Sequence, residues 1–264
     1  MMRRARLCAR LAPVFLALAL ASCAPPPRPG SAVAEVAARW DAARERRETL
    51  VGALQADVVV RVDGRATGKL PALSATLSLG APGRVRLRVS ALIGVALDLL
   101  VREDSLYAWV PSERLAFRAA VDSLGSGAPA ALAGRVLGAT WAPPAAAWRM
   151  ASSDSVGWRV AWREGADSLV LHVNGEARAL EAWIGREGRG VSVRYTDWTR
   201  VSGEVFPARW ELADDTGWAR VRLDLDEARA WPQPDSNWFA PRRGVARVLG
   251  WEDLRAMLER GGVR

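Results

Sequence analysis

The sequence predicts a mainly antiparallel β protein with a few helices: an open, unclosed β-barrel of about eleven strands covered by helices. Two patterns point to it. Apolar and polar residues alternate with period two in many short segments, which is the signature of strands buried on one face only. In the second half these segments recur about every 10 to 14 residues between Gly, Asp and Ser turns, the rhythm of an antiparallel sheet. Helical spacing is confined to three stretches, too few to seal so large a sheet. The sheet must therefore curl over an apolar hollow.

Ala32 to about Leu54 carries Val33, Val36, Trp40, Ala43, Leu50 and Leu54 at near-helical spacing among many charged residues, and predicts an amphipathic first helix. Val58, Val60 and Val62 then alternate with Asp57, Val59, Arg61 and Asp63, and Leu73, Ala75, Leu77 and Leu79 alternate with Ser74, Thr76 and Ser78. Arg84 to Val89 alternates most regularly, three arginines against three aliphatics, so that one face should be wet and the other dry. Val95 to Leu99, Ser105 to Val110 and Leu115 to Arg118 extend the meander. Ala128 to about Leu137, opening at Pro129 and ending near Gly138, predicts a short helix laid on the sheet. After the break at Pro143-Pro144, strands are expected at 157–163, 168–173, 179–184, 191–198, 205–212 and 218–225. Trp251 to Arg260 closes the sequence as an amphipathic helix with Trp251, Leu254, Met257 and Leu258 on one side.

Ahead of the barrel, Arg3, Arg4, Arg6 and Arg10 lead an apolar run from Leu11 to Ala21 that is too short to span a bilayer, which takes about 20 residues. It ends in Leu20-Ala21-Ser22-Cys23, which resembles a bacterial lipobox. The resemblance implies that residues 1–22 are a lipoprotein signal peptide, that Cys23 receives a diacylglycerol on sulfur and an acyl group (a palmitate-type chain) on nitrogen, and that the mature chain hangs from a membrane by lipid. Residues 23–31 carry Pro25, Pro26, Pro27 and Pro29 and read as an extended tether. Residues 32–264 form the barrel domain. In the enterobacterial pattern an aspartate after the lipidated cysteine retains a lipoprotein in the inner membrane. Ala24 is not aspartate, which directs this chain to the outer membrane, facing the periplasm.

Composition narrows the function. The signal holds four of the 37 basic residues and none of the 29 acidic ones, so its removal takes the net charge from +8 to +4. The arginines are scattered singly and form no patch, which argues against nucleic acid. Cys8 leaves with the signal and Cys23 takes the lipid, so no thiol remains for a disulfide, a metal or a cofactor. The covalent lipid is the only prosthetic group expected, and the metal expectation is none. The 13 tryptophans all lie beyond the signal. Trp158, Trp162 and Trp183 read as core, while Trp198, Trp210, Trp218, Trp231 and Trp238 cluster late and are candidates for the rim of a hollow. His172 is the only histidine and sits at an outward strand position, as a solvated side chain rather than half of a catalytic pair. Asp214-Asp215 precede Gly217 in an evident turn, and the motifs of hydrolases, metalloproteases and nucleotide-binding loops are absent. An enzyme is not expected.

Three segments resemble the LolA/LolB-like group of envelope proteins, the carrier and acceptor of lipoprotein sorting: Tyr195-Thr196-Asp197-Trp198 with Gly203-Glu204-Val205-Phe206-Pro207, the loop Ser90-Ala91-Leu92-Ile93-Gly94, and Phe239-Ala240-Pro241. The acceptor's usual proline before the loop leucine is Ala91 here. The resemblance covers roughly residues 55–241. It implies an open barrel that binds an acyl chain or lipidated client, with lipoprotein localisation as the wider role, working as a monomer. Val58, Val60, Leu77, Val85, Leu87, Val89, Leu97 and Leu99 would line the cavity, and Leu92 with Ile93 would protrude to touch membrane or client. The alternative is a non-catalytic envelope scaffold or assembly factor whose core is filled. Lipidation itself gives the first test: Cys23→Ser should accumulate as precursor and lose the fatty-acid label in metabolic labelling, whereas equal labelling of both forms refutes it.

Overall fold

A computed structural model describes residues 30–65, 68–80, 83–90, 92, 94–102, 105–120, 130–231, 236–240, 247–250 and 253. The signal, Cys23 and most of the tether, Ile93, Pro241, and the closing helix apart from Asp253 lie outside the described residues. Three α-helices are described, α1 (Ser31–Val51), α2 (Ala130–Gly138) and α3 (Ala145–Arg149). The strands are β1 (Ala53–Gly64), β2 (Gly68–Lys69), β3 (Leu73–Gly80), β4 (Arg84–Ser90), β5 (Val95–Arg102), β6 (Ser105–Val110), β7 (Leu115–Ala120), β8 (Ser152–Ser153), β9 (Gly157–Glu164), β10 (Asp167–Asn174), β11 (Ala179–Arg186), β12 (Arg189–Val201), β13 (Glu204–Asp214), β14 (Ala219–Ala230) and β15 (Arg247–Leu249). Among the described residues no helix is long and apolar enough to cross a membrane.

All strands join one open, unclosed sheet in the order β15-β7-β6-β5-β4-β3-β1-β14-β13-β12-β11-β10-β9-β8, with β2 paired to β1. The topology is two meanders, β1–β7 and β8–β14, sewn together along the antiparallel β1–β14 ladder from Leu54↔Ala230 to Gly64↔Ala219. Every other pair is antiparallel except β15, which runs parallel to β7. Fifteen described strands exceed the roughly eleven expected, and three of the extra ones, β2, β8 and β15, are two or three residues long, too short for a period-two pattern to show. The first helix ends at Val51 rather than near Leu54: Leu54 is already in β1, fully buried against the helices.

Turn chemistry follows the sequence where it was specific. Gly203 has φ +89° between β12 and β13, a conformation that costs a side-chain-bearing residue ~1–2 kcal/mol. Pro207 sits opposite Trp198, where the β12–β13 register shifts and the ladder is already interrupted.

One expectation fails on the outer face of β4. Of its three arginines, Arg86 is not solvated but 3% exposed. Its guanidinium holds Asp98 of β5 in a two-pronged pair, Nε to Oδ1 at 2.7 Å and Nη2 to Oδ2 at 2.6 Å, and donates through Nη1 to the carbonyls of Trp238 and Ala240. The short 3₁₀ turn Ser236–Phe239 therefore straps the outside of the first meander. Gly80 makes room for it, since a Cβ there would stand 2.7 Å from the Phe239 ring. The strap covers what the alternation alone marked as wet. Arg86→Met should cost on the order of 3 kcal/mol in urea unfolding, because Asp98 then keeps Arg88 at 3.7 Å in place of a buried fork. Adding Asp98→Leu should recover most of that loss.

Candidate functional site

The concave face of the sheet and its helical cover form the site. Across seven strands the register aligns Ala56, Leu77, Leu87, Leu99, Ala108, Phe117 and Leu249 in one row. A second row joins Val58 to Ala75, Val89 and Leu97. Directly opposed residues share a face, and Val60 and Val85 stand two positions along β1 and β4 from Val58 and Leu87. All eight residues read from the sequence as cavity-lining are thus on the face that the helices cover.

Their burial differs along that face. Val58, Val60, Leu77, Val85 and Val89 are buried in the main core, under α1 and α2. Leu87 and Leu97 are half-buried at its edge, and Leu97 and Leu99 pack against a second cluster of Ala108, Phe117 and Leu249. Between the two clusters, Leu87, Leu97, Leu99 and Val101 share one face as partly buried aliphatic side chains. At the end of β4, Leu92 stands fully exposed in the turn to β5. Its neighbour Ile93 is outside the described residues.

The cover is held by donors that the sequence reading passed over. A helix end leaves carbonyls without partners, and α2 ends inside the protein. Its last turn closes with Ala139 at φ +49° and Thr140 N–H donating to the Arg135 carbonyl at 2.9 Å. Side chains supply the rest. Tyr195 Oη donates to the Val136 carbonyl at 2.7 Å, Trp210 Nε1 to Leu137 at 2.9 Å and Arg47 Nη2 to Ala139 at 3.1 Å. Trp141 Nε1 donates to the Tyr195 hydroxyl, and Trp40 Nε1 to the Trp141 carbonyl, both at 3.0 Å. Burial pushes the Tyr195 hydroxyl well above the ordinary phenol value, so it stays a neutral donor.

Arg47 is 2% exposed on the inner stripe of α1, in step with Val33, Val36, Trp40 and Leu50 at spacings of three, four and seven. Its guanidinium carbon lies 4.9 Å from the Trp40 ring and 5.7 Å from that of Trp198. Desolvation lowers its pKa to about 10, which leaves it charged at neutral pH. The spacing of the apolar stripe places Arg47 on it, although charge alone would assign the residue to the polar face. Trp210, expected as a candidate for the rim, is instead fully buried and part of this network. Trp198 packs against the core, while Trp218 and Trp231 are exposed.

Near the junction of α1 with β1, a cavity of about 450 Å³ is lined by Arg46, Thr49, Leu50, Ala53, Glu204, Ala230 and Trp231. Arg46 and Glu204 pair there at 2.8 Å. His172 is less solvated than expected, 17% exposed with Nε2 3.4 Å from Asp154. Asp214 accepts hydrogen bonds from Thr216 and Ala219 within its turn, and these hold its carboxyl below the usual range. Among the described residues no group of three or more His, Cys, Asp or Glu side chains is placed to hold a metal ion.

No family model matches the chain, and no curated protein matches it in sequence. Solved structures do match in fold. A LolA superfamily protein from Nitrosomonas europaea aligns over 79% of this chain and 97% of its own, at 14% identity and a TM-score of 0.52. A DUF1329 family protein from Desulfovibrio piger aligns over 81% and 98%, at 12% identity and 0.52. A domain from Vibrio parahaemolyticus named for outer-membrane lipoprotein sorting aligns over 74% and 92%, at 10% identity and 0.51. The donor network makes a test of the cover: Tyr195→Phe leaves Trp141 Nε1 unpartnered and the Val136 carbonyl with only the Ala139 N–H at 3.3 Å, and should cost about 1–3 kcal/mol in thermal or urea unfolding. An unchanged stability would show the network to be dispensable. The fold of this chain, one open sheet curled over its helices, is the LolA-like open barrel.

Proposed function

We propose that this chain is a lipid-anchored lipoprotein of the outer membrane, facing the periplasm, that binds an acyl chain or a lipidated client on its concave face. It performs no covalent chemistry. The observation that carries the reading is the patch of Leu87, Leu97, Leu99 and Val101, aliphatic side chains left partly exposed between two packed clusters. Val58, Val60, Leu77, Val85 and Val89 form the apolar wall behind it. Burying a sixteen-carbon chain at ~0.8 kcal/mol per methylene gives on the order of 10 kcal/mol, enough to hold a lipid yet short of extracting one from a bilayer unaided. Leu92, with Ile93 beside it in sequence, supplies the contact with membrane or client, since an aliphatic side chain at a hairpin tip adds nothing to folding. The likeness to LolA superfamily folds and to a domain named for lipoprotein sorting agrees with a role in lipoprotein localisation.

A second reading has its own support. Trp40, Trp141 and Trp210 are fully buried in the core between the helices and the sheet, as an envelope scaffold with a packed core would require. Native mass spectrometry of the purified full chain separates the two, because a carrier retains co-purified lipid and a scaffold does not. Leu87→Glu should abolish binding of an acyl probe, a carboxylate in the patch costing several kcal/mol of desolvation. Leu92→Glu should leave the melting temperature unchanged and weaken association with vesicles. A Leu87→Glu protein that binds the probe as wild type does would refute the patch as the site.

A further inference from the structure

At the junction of α1 with β1 an exposed aromatic ring is held more firmly than a surface tryptophan needs to be. Trp231 is 42% exposed, yet its backbone N–H donates to the Ala53 carbonyl at 2.7 Å and its ring meets that of Trp238 edge-on at 5.9 Å. Trp238 is fixed in turn, because its carbonyl accepts from the buried Arg86. No described residue accepts from the Trp231 indole N–H. Apolar side chains scattered singly over a surface need no explanation. Trp231, however, walls the 450 Å³ cavity together with Thr49, Leu50 and the Arg46–Glu204 pair.

That pair is exposed, 55% and 36% at its side chains, and such a pair contributes little to stability. It joins only Arg46 Nε to Glu204 Oε2, at 2.8 Å. The Arg46 Nη groups and Glu204 Oε1 have no partner among the described residues, so free donors and a free acceptor stand side by side in the wall. Arg46 and Glu204 are the only charged residues lining the cavity, and their charges cancel, so net charge draws neither an anion nor a cation. What fits is a neutral molecule with hydroxyl groups on its rim and an apolar face. Its hydroxyls donate to the carboxylate and accept from the guanidinium, while its C–H face lies on the indole. A pyranose ring is such a molecule. The cavity is of small-molecule size, and Arg46, Thr49 and Trp231 in its wall are exposed, as suits a ligand that keeps part of its hydration.

We propose that Trp231, Glu204 and Arg46 form a binding site for a neutral saccharide, with Trp231 as the platform and the ion pair as the group that reads the hydroxyls. The site shares no residue with the aliphatic patch of β4 and β5, and saccharide binding there does not depend on the amphiphile reading. Joined to the proposed lipid anchor, it ties the chain to a glycan as well as to a membrane.

The test uses the full chain in a polyoxyethylene detergent, which carries no sugar, with isothermal titration calorimetry as the readout and cellobiose, maltose and N,N′-diacetylchitobiose as probes. Capped triglycine, tetramethylammonium and acetate are the controls: the first offers donors and acceptors without a sugar's C–H face, and the others are plain ions. At least one disaccharide should bind about tenfold more tightly than every control. Trp231→Ala should weaken that binding by about tenfold, Trp231→Phe should keep part of it, and Glu204→Gln and Arg46→Gln should each cost about fivefold. Trp218, at the opposite end of the β1–β14 ladder and 51% exposed, supplies the control variant, and Trp218→Ala should leave the affinity unchanged. A wild type that binds none of the three disaccharides, or binds a control as tightly, overturns the proposal. So does an equal loss in Trp218→Ala, which marks adsorption to exposed indoles in general. Unchanged affinity in Trp231→Ala overturns it as well. Should Trp231→Ala lower the melting temperature, Glu204→Gln and Arg46→Gln decide instead, and unchanged affinity in both removes the site.

Discussion

The C-terminal end of α2 is the point on which the covered half of this barrel depends. A nine-residue helix cannot be stable alone, and its last carbonyls would resist burial without donors. Five side chains from three directions meet that demand directly or through one another: Trp40 and Arg47 from α1, Trp141 from the following loop, and Tyr195 and Trp210 from β12 and β13. The same contacts fix α1 against α2 and both against the sheet. Cover and core are therefore one cooperative unit, in which the polar network sets the position and the aliphatic rows supply the driving force.

That unit ends where the donors end. On the helix-covered face α2 reaches β4 and β5, where Leu87, Leu97 and Val101 pack against the edge of the main core and stay partly exposed. On the opposite face the reverse holds. The strap at 236–240 buries Arg86 and Asp98 and turns a charged surface into part of the interior. The two faces of β4 thus invert the usual expectation: an aliphatic residue, Leu87, is half open and an arginine, Arg86, is closed.

This inversion explains what the sequence could and could not reveal. Alternation is a local property, and it located β3, β4, β10 and β13 within a residue or two because side chains of a strand point to opposite faces whatever lies above them. Which face is covered is not local. The partner of Arg86 lies 152 residues away, and nothing in Arg84 to Val89 encodes it. Arg47 was in principle legible, since it stands on the apolar stripe of α1, although charge alone would assign it to the polar face. The five residues of α3 follow two prolines and are too few to show a period. The rows of the concave face were legible as a set, because every member belongs to a clean alternation, whereas the division between buried wall and partly exposed patch follows from the placing of α2.

The last strand has a consequence for how such a chain comes to be folded. β15 adds in parallel to β7, the outer strand of the first meander, and the strap reaches β4 from nearly the same distance along the chain. A polypeptide made from its N-terminus completes β1 to β7 more than a hundred residues before either arrives. During that interval the β7 edge offers unpaired backbone groups to any neighbouring strand, and the Arg86–Asp98 pair stands in water. Contacts so distant in sequence form slowly. The first meander is thus a provisional structure for as long as its own tail is missing, and the same edge that later accepts β15 is, until then, open to a wrong partner, as is the β1 edge that later accepts β14.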